Sequence, residues 1–281
     1  MVHPQKWRET CDPFVLAYHR FHPTEIIGYP HARNDVFHAR GIYEGKETTA
    51  YIKVARHKDS AIENEVSILS QLDDSIFPNV LDADFANGGF SVTTDLPGLR
   101  LSAIVGANED MASLYYMEAY GEALGKLHGL KPTASQQADR KFHHPPTHDM
   151  LESLDLAYLE NYFSRTPSNV ENVFCHGDFH YANVLWEDRH ISAILDFELS
   201  GYGNRDMDIA WAIFLRPGQR FLKTEEERRK FLDGYRKFAV YDEAAVKYYT
   251  AQFYVWFLDS CSDDAEYSDY IRRWLAANCT L

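Results

Sequence analysis

At 281 residues the chain is long enough for one large fold or two lobes, and its composition, 45% hydrophobic and 25% charged, is that of an ordinary soluble protein. A formal net charge of −14 opposes binding to nucleic acid and to anionic membranes; it either attracts a cationic ligand or only keeps the protein soluble. No stretch approaches the roughly 18 uninterrupted apolar residues of a membrane span. The four cysteines lack paired spacing, which predicts neither a zinc site nor a disulfide framework. Residues 1–9 lack the apolar core of a secretory signal, so the sequence predicts a cytoplasmic protein.

The first third of the chain predicts a small sheet with one helix. Four short segments are typical of strands: 36–39, 48–54, 81–85 and 90–94. The first two flank the glycine-containing segment 41–46, and the last two flank Asn87-Gly88-Gly89, so both pairs indicate hairpins. Between the pairs, residues 61–72 carry apolar side chains at the spacing of an amphipathic helix.

Asp95-Leu96-Pro97-Gly98 ends this pattern, because proline removes a ladder donor and glycine permits a sharp turn. We therefore place a boundary between an N-terminal lobe, residues 1–95, and a C-terminal lobe, residues 96–281. The second lobe is predicted to be mainly α-helical, with helices over 112–130 and 150–163.

One segment of the second lobe has the residue types that phosphoryl transfer needs. Residues 176–185 read His-Gly-Asp-Phe-His-Tyr-Ala-Asn-Val-Leu, and Asp196 follows at the end of a predicted hairpin. The reaction needs a carboxylate to orient the attacking hydroxyl and oxygen ligands to hold Mg²⁺ against the nucleotide phosphates. Asp178, Asn183 and Asp196 can fill these three roles.

A rival interpretation is a metal-dependent hydrolase. His176, Asp178 and His180 alternate along the chain, and on a strand they would face one side like metal ligands. Such a site needs further His or Asp ligands on neighbouring elements. The remaining histidines instead cluster in predicted loops and near the N-terminus.

Residues 176–198 resemble the signature of the aminoglycoside phosphotransferase and choline kinase-like superfamily, which are relatives of the protein kinases. The resemblance implies an α+β, two-lobed protein-kinase-like fold with a small antiparallel β-sheet N-lobe, one key helix, and a larger mainly α-helical C-lobe. It also implies that Asp178 is the catalytic base, that Asn183 and Asp196 bind Mg²⁺, and that His176 braces the loop. Asp196-Phe197-Glu198 departs from the Asp-Phe-Gly of protein kinases, and no Ala-Pro-Glu follows, so a protein-kinase activity is disfavoured.

The resemblance also implies a lysine on a strand of the small lobe, held against the phosphates by a glutamate of the following helix. Lys53, on a predicted strand, and Glu65, in the helix predicted after it, match this pair. Glu63 is the competing partner, and the two glutamates point to different faces of the predicted helix. We favour Glu65 because of its register with Leu69 and Leu72.

The nucleotide contacts are less sharply defined. The segment around Gly41 lacks the G-x-G-x-x-G pattern of protein kinases, so Gly41 either covers the phosphates or only turns a hairpin. The nucleotide base would meet the connection at Thr94, Asp95 and Leu96, where an extended backbone offers a donor and an acceptor. Either ATP or GTP is compatible with such a connection.

Two further polar residues are expected to have structural roles. Asp208, near the start of a predicted helix, can satisfy free backbone amides and brace the catalytic loop. A core or capping role is also expected for His128.

The acceptor site is expected among the C-terminal helices, where aromatic and acidic residues mix: Tyr248, Tyr249, Phe253, Tyr254, Trp256 and Phe257 with Asp259, Asp263, Asp264, Glu266 and Asp269. Carboxylates could pair with the ammonium groups of an aminoglycoside, and aromatic faces could hold choline. The alternative is that the aromatic residues are core and the acids are solvated. This chain has His176-Gly177-Asp178, whereas choline kinases usually resemble His-Asn-Asp at this place in the motif. The glycine favours the aminoglycoside-type branch and hence a part in antibiotic resistance.

The sequence therefore predicts a kinase that transfers the γ-phosphoryl group of ATP or GTP, with Mg²⁺, to a hydroxyl of a small and cationic acceptor. Other acceptors of the resembled superfamily are choline, homoserine, methylthioribose and macrolides. A nucleotide-binding pseudokinase is the non-enzymatic alternative, but it should lack one of Lys53, Asp178, Asn183 and Asp196.

Overall fold

The computed structural model describes residues 11–30, 34–86, 89–168, 171–260 and 264–279. The predicted turn at Asn87-Gly88, and Cys261 and Asp263, lie outside these residues. The chain divides into two compact units. Unit 1 consists of Met1–Gly98, Pro132–Ala134 and Ser192–Ser200, and unit 2 consists of Leu99–Lys131, Ser135–Ile191 and Gly201–Leu281.

The described residues of unit 1 contain a five-stranded antiparallel sheet, the α-helix α1 (Ile62–Leu69) and a short 3-10 helix, Pro13–Val15. The strands are β1 (Phe21–Gly28), β2 (Asp35–Tyr43), β3 (Lys46–Val54), β4 (Val80–Asp84) and β5 (Phe90–Thr94), in the order β1-β2-β3-β5-β4. Four of these strands and α1 were predicted. The sequence analysis missed β1, because Pro23 interrupts its pattern and two register shifts break its pairing with β2.

Gly41 does not lie in a turn, so the prediction that it turns the hairpin is wrong. It lies inside β2, opposite Pro23 and Thr48, and the turn falls at Glu44-Gly45, both with positive φ. A Cβ at Gly41 would lie 2.5 Å from the Phe21 ring and 2.6 Å from a backbone oxygen of β1. Glycine is therefore required here by the close approach of β1.

The alternation of side chains along β3 fixes where Lys53 lies. Ala50, Ile52 and Val54 are buried in the core of unit 1, together with residues of the neighbouring strands. Successive side chains of a strand lie on opposite faces of the sheet. Lys53 therefore projects from the face opposite to Ile52.

Unit 2 is mainly helical, as predicted. Its longer helices are α3 (Met117–His128), α6 (Arg205–Ile213), α7 (Glu225–Arg236), α8 (Glu243–Ser260) and α9 (Ala265–Asn278). Shorter helices are α2 (Leu101–Val105), α4 (His148–Ser153) and α5 (Glu160–Phe163). The single helix predicted over 150–163 is divided, because Asp155 adopts a left-handed backbone with φ of 56° between α4 and α5.

The remaining strands hold the segment that carries the phosphoryl-transfer motif. They are β6 (Leu99–Arg100), β7 (Asn172–Cys175), β8 (Val184–Glu187), β9 (His190–Ile194) and β10 (Gly201–Asn204). One sheet has the order β6-β8-β9, and β7 pairs with β10. The hairpin predicted to follow the motif is confirmed, with its turn at Asp188-Arg189.

Close packing of α3 against α7 depends on two glycines. A Cβ at Gly121 would lie 1.8 Å from the backbone oxygen of Phe231, and a Cβ at Gly234 would lie 2.0 Å from that of Glu118. The two helices therefore approach backbone to backbone at these positions. Among the described residues, none of the helices combines the length and the apolar character needed to cross a membrane.

Candidate active site

Lys53 lies at the centre of a group of acids in unit 1. Its Nζ is 2.8 Å from Glu65 Oε2, 3.0 Å from Asp196 Oδ1 and 2.9 Å from Glu198 Oε1. Burial alone would lower the pKa of Lys53, but the charges of these three carboxylates outweigh it and raise that pKa. The ammonium group therefore stays charged across the physiological range.

Glu65, and not Glu63, is the helix partner of Lys53. Glu65 is buried on α1, and Glu63 is exposed to solvent on the same helix. The second oxygen of Glu65 accepts a hydrogen bond from the backbone N–H of Phe197 at 3.0 Å. Glu65 thus holds both the lysine and the segment that carries Asp196, and burial raises the pKa of its carboxyl group.

Asp196 is the most accessible acid of this group. Its side chain is 42% exposed, against 6% for Glu65 and 15% for Glu198, and its backbone adopts a left-handed φ of 67° two residues after β9. Glu198 is also bound by the side-chain amide of Asn34 at 2.7 Å, so it is more firmly held.

Oxygen atoms of Glu65, Asp196 and Glu198 lie within 4.8 Å of one another. Three carboxylates around one lysine leave an excess of two negative charges, and carboxylate oxygens are the ligands that Mg²⁺ prefers. The donor set at Asp196 therefore fits a magnesium ion, which would neutralise the charge of bound phosphates. Glu198 was not predicted, although its spacing from Asp196 in the sequence was a signal for it.

The second group of motif residues lies in unit 2, in the loop that follows β7. Asp208, near the start of α6, accepts backbone hydrogen bonds from His176 and Gly177, each at 3.0 Å. His128, which is buried, lies 3.1 Å from the same carboxylate. The structural roles expected for Asp208 and His128 are both present, and together they fix the backbone that precedes Asp178.

Both oxygens of Asp178 have partners. Oδ1 accepts a hydrogen bond from the indole N–H of Trp211 at 2.8 Å. Oδ2 lies 3.4 Å from the Asn183 side-chain nitrogen and 3.4 Å from His180 Nε2. Because Asn183 also donates to the Asp178 backbone oxygen at 3.0 Å, its nitrogen is committed to the loop, and its amide oxygen is the atom suited to a metal ion.

The environment of Asp178 favours its ionised form. Burial raises the pKa of its carboxyl group, but the hydrogen bond and charge of His180 and the charges of Arg216 and Arg140 outweigh burial and lower that pKa. Asp178 is therefore a carboxylate at neutral pH. Such a group can accept a hydrogen bond from an acceptor hydroxyl and orient it.

The geometry does not support the rival metal site. His176 is buried after the end of β7, and its Nδ1 accepts the backbone N–H of Asp178 at 3.3 Å. His180 Nδ1 accepts the backbone N–H of Ala182 at 3.1 Å. These nitrogens are committed to the turns of the loop, and the groups of three potential ligands found among the described residues are others, namely His128, Cys175 and Asp208 in unit 2 and the acids around Lys53 in unit 1.

The predicted contacts with the nucleotide base lie at the end of β5 and just beyond it. Thr94 pairs with Ala50 in the sheet, and its hydroxyl accepts the backbone N–H of Asn79 at 2.9 Å. Asp95 lies 2.8 Å from His38 Nε2. Leu96 is half-buried and lies outside any helix or strand.

Most of the aromatic residues predicted for the acceptor site belong to the core of unit 2. Tyr248, Tyr249, Phe253 and Tyr254 are buried, whereas Trp256 and Phe257 are half-buried. The described acids of the set, Asp259, Asp264, Glu266 and Asp269, are exposed. Asp264 caps α9 by accepting the backbone N–H of Tyr267.

A model of the phosphotransferase enzyme family matches residues 32–247, which is more than half of the chain. The chain belongs to the phosphotransferase enzyme family. No curated protein sequence matches this phosphotransferase, but solved structures share its fold at low identity. The aminoglycoside phosphotransferase APH(4)-Ia is 12% identical, with a TM-score of 0.61 over 94% of this chain and 95% of that one.

Two further structures extend the comparison. The streptomycin and ATP complex of APH(2″)-IIa is 16% identical, with a TM-score of 0.60 over 89% of this phosphotransferase and 91% of that chain. A choline/ethanolamine kinase family protein from Mesorhizobium loti is also 16% identical, with a TM-score of 0.60 over 98% and 94% of the two chains. The predicted fold and family are thereby confirmed, and the phosphotransferase has the protein-kinase-like fold.

Proposed function

We propose that this phosphotransferase moves the γ-phosphoryl group of ATP to a hydroxyl of a small molecule. The observation that carries the proposal is the contact of Lys53 Nζ with both Glu65 and Asp196, because these residues come from a strand, a helix and a distant loop. No requirement of folding alone calls for a buried lysine with this set of acids. Phosphate and magnesium binding accounts for all of them.

Within unit 1, Lys53 would hold the phosphates and Glu65 would position Lys53. Asp196 would bind Mg²⁺, which neutralises charge on the phosphates when it is bound. Residues 1–95 would form the nucleotide-binding lobe, with the base near Thr94, Asp95 and Leu96. Gly41 has a sufficient structural reason in its contact with β1, so its part in phosphate binding is a secondary proposal.

Within unit 2, which includes most of the predicted lobe 96–281, Asp178 would orient the acceptor hydroxyl and accept its proton. The Asn183 amide oxygen would add a ligand to Mg²⁺. Positioning and charge neutralisation account for most of the rate enhancement in this kind of reaction.

For the acceptor we propose an aminoglycoside or a similar cationic compound bound through carboxylates rather than through an aromatic cage. The faces of the aromatic side chains are partly taken by cations of the chain itself: Lys141 Nζ lies 5.5 Å from the centre of the Trp256 ring, and the Arg140 guanidinium lies 4.1 Å from that of Phe142. A quaternary ammonium group such as that of choline would have to displace them. The exposed Asp259, Glu266 and Asp269 remain accessible to ammonium groups.

ATP is proposed as the donor because APH(2″)-IIa, which shares the fold, has been solved with ATP. GTP stays an alternative that the sequence left open. A pseudokinase is disfavoured, since Lys53, Asp178, Asn183 and Asp196 are all present. Cytoplasmic location and a part in antibiotic resistance would follow from an aminoglycoside acceptor.

The test is release of ADP or GDP in the presence of Mg²⁺ with a panel of acceptors: streptomycin, hygromycin B, a macrolide, choline, homoserine and methylthioribose. We expect ATP-dependent turnover with an aminoglycoside and none after chelation of Mg²⁺ by EDTA. Turnover with choline alone would overturn the proposed acceptor and leave the reaction intact. Nucleotide binding without turnover for any acceptor or for water would contradict the proposed function.

A further inference from the structure

Trp211 is the one residue of α6 that reaches Asp178 through its side chain among the described contacts. Its indole Nε1 donates to Asp178 Oδ1 at 2.8 Å, a bond between residues 33 positions apart in the sequence. Trp211 is 7% exposed, so water competes little for this hydrogen bond.

The indole is enclosed by neighbouring side chains. The Phe142 ring stacks on it with centroids 4.9 Å apart and an interplanar angle of 16°. The guanidinium groups of Arg140 and Arg216 each lie 5.0 Å from the indole centroid. Phe253 meets it edge-on at 5.1 Å. Close packing of this kind restricts the rotation of the side chain.

Arg216 also fixes the backbone that carries the indole. Its Nη2 donates to the backbone oxygen of Trp211 at 2.7 Å, and its guanidinium lies 4.2 Å from the centroid of the Phe214 ring. The guanidinium is buried just beyond the C-terminus of α6, where a cation stabilises the helix dipole. The position of the donor N–H is therefore set by the backbone and by four neighbouring side chains.

We propose that Trp211 is a positioning residue for Asp178: its indole N–H fixes the orientation of the carboxylate through Oδ1. Oδ2, whose contacts with Asn183 and His180 are longer at 3.4 Å each, is then the oxygen presented to the acceptor hydroxyl. This inference rests on the proposed function, in which Asp178 is the catalytic base. An indole is an uncharged donor, so it orients the carboxylate without adding to the charges of His180, Arg216 and Arg140, which already lower the pKa of Asp178. A lysine at this position would also orient the carboxylate, but it would lower that pKa further.

The hydrogen bond itself can be tested without any acceptor. In a ¹H–¹⁵N spectrum of the full chain, the indole resonance of Trp211 is assigned as the one lost in Trp211→Phe. We expect Asp178→Asn to move this resonance while the other indole resonances stay in place. An unmoved Trp211 resonance overturns the inference, whatever the turnover of the protein.

The kinetic test compares Trp211→Phe with Trp274→Phe. Phenylalanine keeps most of the ring packing and removes the N–H. The indole of Trp274, in α9, interacts with Glu225 and not with the motif, so Trp274→Phe controls for the loss of an indole N–H elsewhere in unit 2. Turnover is measured as ADP release with the best acceptor of the panel, or with water if none is better. We expect kcat to fall about 10-fold to 100-fold in Trp211→Phe, as for one hydrogen bond to a charged group, with the KM for ATP within about twofold.

Trp274→Phe should keep kcat close to that of the unmodified chain. Equal kcat in Trp211→Phe and the unmodified chain overturns the inference. A fall in kcat that is the same in both variants and follows the loss of Tm also overturns it, because it would show a packing effect. A chain that releases no ADP with any acceptor or with water contradicts the proposed function instead, and the spectrum then decides the inference alone.

Discussion

Replacing Glu65 with Gln isolates the charge that holds Lys53. Glutamine has nearly the same shape as glutamate, but its one carbonyl oxygen can accept only one of the two hydrogen bonds that Glu65 accepts, from Lys53 Nζ at 2.8 Å and from Phe197 N–H at 3.0 Å. Its amide group would then face the other donor. Each hydrogen bond to a charged group contributes about 1.5 to 3 kcal/mol.

Stability and activity should respond differently to this change. Removing Glu65 also relieves repulsion from Asp196 and Glu198, so the free energy of unfolding should fall by only about 1 to 2 kcal/mol. The rate has no such relief, because Lys53 and the Asp196 segment both lose their anchor. A loss of about 2 to 3 kcal/mol in transition-state stabilisation lowers ADP release roughly 30-fold to 150-fold.

The matched control is Glu63→Gln, two residues away on the same helix and exposed to solvent. It makes the same chemical change and should alter neither Tm nor ADP release by more than a small factor. The measurements are thermal unfolding and coupled ADP release at saturating ATP. The reasoning is refuted if Glu65→Gln keeps full activity, or if Glu63→Gln loses as much.

Three further predictions follow from the two units. In Asp196→Asn we expect ADP release to fall by about 100-fold or more and the Mg²⁺ concentration for half-maximal rate to rise, because the accessible metal ligand is neutralised. Gly121→Ala should lower the free energy of unfolding by about 3 kcal/mol or more, and Tm with it, because the new Cβ would lie 1.8 Å from the Phe231 backbone oxygen. Burial and the charge of Arg140 lower the pKa of His143 to about 4. The stability that depends on its neutral form is therefore fully present above about pH 6.5 and is lost as the pH falls towards 4. His143→Gln should therefore flatten the change of unfolding free energy between these two pH values, by about 2 kcal/mol in denaturant titrations.

Each of these has its own control. Glu198→Gln, at a residue held by Asn34, should affect the Mg²⁺ dependence less than Asp196→Asn. Gly129→Ala, at a helix end with an ordinary φ of −78°, should cost far less than Gly121→Ala. An Asp196→Asn variant with unchanged Mg²⁺ dependence, a Gly121→Ala variant with unchanged Tm, or equal pH slopes for His143→Gln and the unmodified chain would contradict the respective argument.

The elements with strong local signals were predictable. Alternation of side chains gave the strands around Lys53, and helical spacing gave α1 with Glu65 on its buried side. β1 was missed because its pairing with β2 is irregular and depends on Gly41, whose neighbour Phe21 lies twenty positions earlier. A contact of that kind is set by tertiary packing and leaves no periodic pattern.

The residues of the site also divide into those that the sequence predicts and those that depend on tertiary packing. Lys53 and Asp196 have motif positions, and the pairing of Lys53 with Glu65 was expected from the family resemblance. Trp211 looked like any apolar residue of a helix, because a hydrogen bond to Asp178 across 33 positions has no local sequence signal. The membership of residues 192–200 in unit 1 likewise depends on long-range contacts, such as the backbone bond from Ile194 to Ile76, which chain order does not reveal.

The central claim is that Asp178 activates an acceptor hydroxyl for attack on ATP. Its most direct test is Mg²⁺-dependent ADP release by Asp178→Asn in the presence of the best acceptor, beside the unmodified chain and at equal ATP occupancy. The account predicts a loss of about 100-fold or more in kcat, as for removal of a general base, with ATP binding retained. Full activity of Asp178→Asn would contradict the account.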